Sequence, residues 1–199
     1  MDPTTPNAQT AAEAGDGDPL IVLIGGTAGC GKTTLANRLV GRFDLDHRLG
    51  TGFVRAVLQS QTTPAAEPEL FARSYESGDP VAHVQAQARR LFPAVMACVA
   101  RARHEGTSLV VEGTHLIPEL YREVDARFLV LSMPDAADHL RRLVGHRHTR
   151  RRIATEDAAR VRTIGQFYER EAVRLGVPLV RYEDNLDEVA EVLQLGVSK

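Results

Sequence analysis

The residues with the most chemistry to offer lie between positions 26 and 34, where Gly26, Thr27, Ala28, Gly29, Cys30, Gly31, Lys32, Thr33 and Thr34 follow one another. Gly26, four further residues, then Gly31, Lys32 and Thr33 fit G-x-x-x-x-G-K-[ST], the pattern of a phosphate-binding loop. The spacing has a physical cause. Glycines let the backbone curl so that successive N–H groups face one anion, and the helix that follows adds unpaired N–H groups and the positive end of its dipole. Lys32 then reaches the β- and γ-phosphates of a bound nucleotide, and the Thr33 hydroxyl can ligate Mg2+. All nine residues from Gly26 to Thr34 are expected to line the nucleotide phosphates.

An acid is needed opposite such a loop. Glu112 ends the apolar run Leu109-Val110-Val111 and precedes Gly113. From there a carboxylate can hold the metal with Thr33 or take the proton of an attacking hydroxyl. His115, three residues on, could contact substrate or Glu112, or simply sit at the surface of a turn. Farther along, residues 141–152 contain six arginines, Arg141, Arg142, Arg147, Arg150, Arg151 and Arg152, with His146 and His148 among them. Such a run can be a solvated face, a nucleic-acid patch or a lid over phosphates. The lid is favoured, because the guanidinium fork binds phosphate oxygens in pairs and neutralises charge developing in transfer. Arg147 and Arg151 are its expected catalytic members, and Arg160 and Arg162 at the start of the next helix could also reach inward. Arg55 is a candidate anchor for an anionic acceptor; His83 and Gln85 or Gln87 are weaker candidates.

The elements that must position these side chains can be read from apolar patterning. Residues 20–24 form an unbroken apolar run, as a strand buried on both faces requires. A helix is expected over 32–42, a short second strand over 44–49, a helix over 53–61 and a Pro-bearing loop over 61–68. Apolar residues at 84, 88, 91, 95, 99 and 102 recur at helical spacing, giving a long helix that Gly106 ends. Strands over 108–112, 128–131 and 179–182 and helices over 135–144, 155–175 and 186–195 complete the alternation. Strand and helix alternation implies an α/β three-layer sandwich, with a mainly parallel sheet of about five strands and right-handed connections. Ligands in such sheets bind beyond the carboxyl ends of the strands. That rule places the phosphate loop, Glu112, His115, Ser132 and residues 182–185 on one rim.

Length and composition narrow the classes. The 199 residues suffice for one α/β domain over 19–199, preceded by a disordered tail over 1–18 and carrying the Arg-rich lid at about 145–153. With 43% hydrophobic and 25% charged residues the chain has a globular profile, and a net charge of −2 gives no general reason to expect nucleic acid or a membrane as partner. No apolar run approaches the roughly 20 residues of a membrane span, and the start of the chain lacks a basic-then-apolar signal pattern, so the cytoplasm is the expected compartment. Two cysteines, Cys30 and Cys98, suggest neither a disulfide framework nor a metal-ligand spacing.

With these residues in hand, the chain resembles the 2-phosphoglycerate kinase family of P-loop kinases over most of residues 20–193. The matching stretches are the phosphate loop, Gly50-Thr-Gly-Phe-Val-Arg-Ala-Val-Leu58, Val110-Val-Glu-Gly-Thr-His-Leu-Ile-Pro118, and the Arg-rich region running on to Gly176-Val-Pro178. The Glu-Gly-x-His-Leu-x-Pro stretch discriminates best. The resemblance implies transfer of the γ-phosphoryl of ATP, with Mg2+, to the free hydroxyl of 2-phosphoglycerate, giving 2,3-bisphosphoglycerate. In one place the chain departs from the family, reading Thr51-Gly52-Phe53 where Thr-Asp-Ser is usual. The acid's role must pass to Glu112, or the acceptor must differ. The resulting expectation is an ATP- and Mg2+-dependent kinase of a small anionic acceptor. Lys32, Glu112, Arg147 and Arg151 would be catalytic, Thr33 and Glu112 would hold the metal, and Arg55, His115 and Arg162 would face the acceptor. A nucleotide-binding regulatory module, or a kinase of a sugar nucleotide or a nucleic-acid end, stays open; the oligomeric state is not legible.

Overall fold

The computed structural model describes residues 19–76, 78–145, 153–181 and 186–194. Its centre is a parallel sheet of β1 (Ile21–Gly25), β2 (His47–Gly50), β3 (Leu109–Glu112), β4 (Arg127–Ser132) and β5 (Leu179–Arg181), in the order β2-β3-β1-β4-β5. Alternation along β1 decides the two layers. Val22 and Ile24 point to one face, where they meet Leu35 and Leu39 of α1 (Lys32–Phe43) and Val189 of α8 (Leu186–Val192). Ile21 and Leu23 point to the other, against Leu91, Val95 and Val99 of α4 (Pro80–Glu105). Both faces are thereby covered, as the unbroken apolar run requires.

A third cluster joins Val84 and Ala88 of α4 to Val130 and to Ile164, Phe167 and Tyr168 of α7 (Thr155–Leu175). The two long helices end alike, at Gly106 and Gly176 in left-handed conformation. Asp79 caps the start of α4 by accepting from the N–H groups of Val81 and Ala82.

Two expectations shift. The second strand begins at His47 rather than at 44, because Asp44 closes α1 in a left-handed turn and Asp46 accepts hydrogen bonds from the Ser108 N–H and hydroxyl. The helix expected at 53–61 is α2 (Thr51–Gln59), which starts directly at the end of β2. Two single turns, α3 (Pro68–Phe71) and α5 (Pro118–Tyr121), escape apolar periodicity because four residues are too few to show it; each has Pro in its first turn. The helix expected at 135–144 is α6 (Ala136–Val144). The proposed tail and most of the proposed lid, residues 146–152, lie outside the described residues, as do 182–185. Among the described residues, no helix is long and apolar enough to cross a membrane.

Candidate active site

Gly29 and Gly31 adopt φ of 78° and 100°, turning the chain between β1 and α1 through conformations that other residues resist. The N-terminus of α1 has no side-chain cap and no acid in its first turn, which leaves its N–H groups and dipole for an anion. Lys32 opens this helix, and its side chain folds back over the loop. Its Nζ donates to the Thr27 carbonyl at 2.6 Å, and the Cys30 thiol donates to the same oxygen at 3.0 Å. Cys30 is fully buried in the core under the loop.

The loop is braced from outside by α6 and α7. Thr27 Oγ1 donates to the Val161 carbonyl at 2.9 Å, and Nε2 of the buried His139 meets the Ala28 carbonyl at 2.8 Å. Since a carbonyl only accepts, this nitrogen carries the hydrogen. Burial pushes His139 down from its ordinary pKa, so the neutral ring is the form that holds the loop. Leu143, one turn along α6, lies 2.6 Å from where a Cβ on Gly29 would stand. His139 was not anticipated from the sequence; its only signal is its place four residues before Leu143 on the apolar stripe of α6.

Glu112 ends β3 and pairs in register with Ile24 of β1, which sets its carboxylate beside the loop. Thr33 Oγ1 donates to Glu112 Oε1 at 2.9 Å, and Arg48 Nη1 reaches the same oxygen at 3.4 Å. Arg48 also escaped the sequence reading: it lies on the short β2, and only the pairing of β2 with β3 brings it to the acid. Thr33 and Glu112 together offer Mg2+ two hard oxygen ligands. Among the described residues no group of three or more His, Cys, Asp or Glu could enclose a metal. A two-oxygen site suits Mg2+, which keeps water and phosphate oxygens in most of its shell. The residues present therefore fit a nucleotide–Mg2+ pair.

On the far side of Glu112 the chain turns through Gly113, where an added Cβ would stand 1.8 Å from Thr51 Oγ1. Gly113→Ala is expected to lose about 1–3 kcal/mol of stability by forcing β3 and α2 apart, read from urea unfolding midpoints. The tight approach serves a contact: Thr51 Oγ1 and His115 Nδ1 share a hydrogen bond of 2.9 Å. A turn histidine that could equally face solvent is in fact buried, with 5% exposure. Burial, with the cations Arg55 and Lys32 and then His83 nearby, pushes the His115 pKa down to about 3. The folded state thus takes up a proton here only far below 6.5, whereas the unfolded chain takes it up near 6.5. Stability is expected to fall as pH drops from about 6.5 towards 3, and His115→Gln to flatten that slope in urea titrations.

Arg55 of α2 donates to the Ala72 carbonyl at 3.4 Å and lies on the same side as His115. Gln87, fully buried on α4, binds the Glu69 and Ala72 carbonyls at 2.6 and 2.8 Å, making it a brace for this wall. Arg162 donates both arms to the Met133 and Pro134 carbonyls, the latter at 2.8 Å, and so fastens α7 to the segment after β4. Arg160 pairs with Asp157 on its own helix. Arg147 and Arg151 lie outside the described residues. The flanks of that run meet, however: the Ile153 N–H donates to the Leu143 carbonyl at 3.3 Å, and both side chains are buried together.

The family model described as AAA domain matches residues 22–163. The 2-phosphoglycerate kinase of Thermococcus kodakarensis is 24% identical over 191 residues, covering 87% of this chain and 65% of that protein. The 2-phosphoglycerate kinase of Methanothermobacter thermautotrophicus is 26% identical over 199 residues, covering 88% and 63%. The chain thus spans somewhat under two thirds of the length of these curated relatives. Among solved structures, shikimate kinase from Acinetobacter baumannii superposes with a TM-score of 0.52 at 13% identity, over 89% of this chain and 92% of that one. That likeness shows the same overall fold. On the match over 22–163 and the loop geometry that lies within it, the chain belongs to the AAA domain family of P-loop proteins, and curated relatives it matches include 2-phosphoglycerate kinases.

Proposed function

We propose that the chain is an ATP- and Mg2+-dependent phosphotransferase acting on the hydroxyl of a small anionic acceptor, 2-phosphoglycerate or a close analogue. The observation that carries the reading is the Thr33–Glu112 hydrogen bond of 2.9 Å beside Lys32, which joins a metal-binding hydroxyl to an acid at the mouth of a phosphate loop. The curated relatives' names support the acceptor. ATP with Mg2+ would supply the transferable group and the cation that offsets its charge. The loop amides and Lys32 would orient the phosphates, and Thr33 and Glu112 would hold the metal. Glu112 would also take the hydroxyl proton. Rate enhancement would come mainly from positioning and charge stabilisation.

The test is ADP formation by purified protein with Mg2+-ATP against phosphoglycerates, other hydroxy acids, nucleosides and sugar nucleotides, with product masses determined. Turnover on 2-phosphoglycerate is expected. ATP binding with no turnover on any acceptor would overturn the kinase and favour a nucleotide-binding regulatory module, a reading to which Gly52 lends support. Position 52 offers its own check. Gly52 is the second residue of α2, exposed, with no atom within 4 Å of a built Cβ. Gly52→Asp is expected to stabilise the protein by about 0.5–1 kcal/mol, by removing a helical glycine and placing a carboxylate at a helix N-terminus. A rise in turnover accompanying that gain would identify the acid as missing machinery.

A further inference from the structure

Three buried side-chain polar atoms lack a hydrogen-bond partner among the described residues, and two of them are Nε2 of His83 and of His115, residues that interact electrostatically with each other. Burying a polar group without a partner costs free energy, so such atoms call for an explanation. His83 lies in the first turn of α4, His115 just past β3, and Arg55 on α2, which packs against α4. All three stand close enough for His83, Arg55 and Lys32 to act electrostatically on His115. When the Thr51 hydroxyl donates to His115 Nδ1, the imidazole hydrogen resides on Nε2, which makes the orphaned atom a donor. Gln87 braces the same wall, donating to the Ala72 carbonyl that Arg55 also binds.

We propose that His83, His115 and Arg55 form the pocket for the anionic group of the acceptor, a phosphate or carboxylate borne by a hydroxy acid, with both Nε2 atoms donating to its oxygens. The assignment rests on the kinase reading for its acceptor and deepens it by naming the donors. His83 and His115 act here as specificity-determining residues: two imidazole donors and one guanidinium suit a compact oxyanion better than an uncharged alcohol or a nucleobase.

The experiment uses the full chain with 15N-labelled histidine, titrated with 2-phosphoglycerate, glycerate and inorganic phosphate while imidazole nitrogen resonances are followed. Saturable shifts of His83 and His115 Nε2 with 2-phosphoglycerate are expected. A matching response to phosphate alone assigns the pocket to the phosphate group; a response to glycerate alone assigns it to the carboxylate. His83→Ala and His115→Gln are each expected to weaken 2-phosphoglycerate binding about 10- to 100-fold, the effect of losing one hydrogen bond to a charged group, with ATP affinity unchanged. His83 lies at a helix start, so its variant tests the pocket even where the His115 variant fails to fold. No shift of either histidine with any of the three probes overturns the proposal, as does unchanged binding in folded variants. Turnover on 2-phosphoglycerate without histidine response leaves the kinase standing and removes the pocket; saturable shifts without turnover keep the pocket and remove the kinase.

Discussion

Lys32→Ala is expected to cut phosphoryl transfer about a thousandfold or more while the protein stays folded. The side chain's only described hydrogen-bond partners are the Thr27 carbonyl at 2.6 Å and the Cys30 sulfur at 3.7 Å, both within its own loop. The loop keeps its outer braces from Val161 and His139 without it. What the variant loses is a cation pre-placed where transfer concentrates negative charge, and pre-organised charge in a water-poor site is usually the largest contribution to such rates. Lys32 is itself buried, at 8% exposure, so its charge is poorly screened by solvent. The measurement is single-turnover ADP formation beside thermal unfolding. Full activity in a folded variant would overturn the assignment of the loop.

Glu112→Gln is expected to lower turnover by roughly 10²- to 10⁴-fold, the range for removing a positioned proton acceptor. The amide preserves shape and can still accept from Thr33, but it neither takes a proton nor offers Arg48 a full countercharge. Two outcomes separate the acid's roles. A fall in kcat with the Mg2+ requirement unchanged assigns Glu112 to the hydroxyl proton; a raised Mg2+ requirement with kcat recovered at saturating metal assigns it to the metal. An unchanged kcat and Mg2+ requirement would remove Glu112 from the machinery. Arg48 enters either account as a positioning residue, since it contacts the same carboxylate oxygen as Thr33.

Much of this was legible from residue order because its causes are local. A phosphate loop is made by consecutive residues, so Gly29, Gly31 and Lys32 declare it without help from the rest of the chain. The doubly buried β1, the long helices α4 and α7 and their glycine stops follow from patterning and conformational preference over short windows. Glu112 was legible for a related reason: an acid at the end of an apolar run that returns beside the loop has few other places to go.

The remaining parts depend on which strands become neighbours. Arg48 reaches Glu112 only because β2 pairs with β3 at the sheet edge. His139 supports Ala28 across 111 residues, and Thr27 meets Val161 across 134; no window along the chain contains such pairs. Burial is equally non-local: His115 sits in a turn by sequence, and the closing of α2, α4 and β3 around it makes it a neutral, buried ring. Arg162 shows the converse, its charge suggesting a ligand and its surroundings supplying backbone carbonyls. The sequence by itself determined the phosphate loop, the alternating α/β order and the acid opposite the loop, because each is encoded in adjacent residues. Only the tertiary structure decided which distant side chains brace that loop, pair with that acid and line the wall beside it, because those contacts arise from strand order and packing.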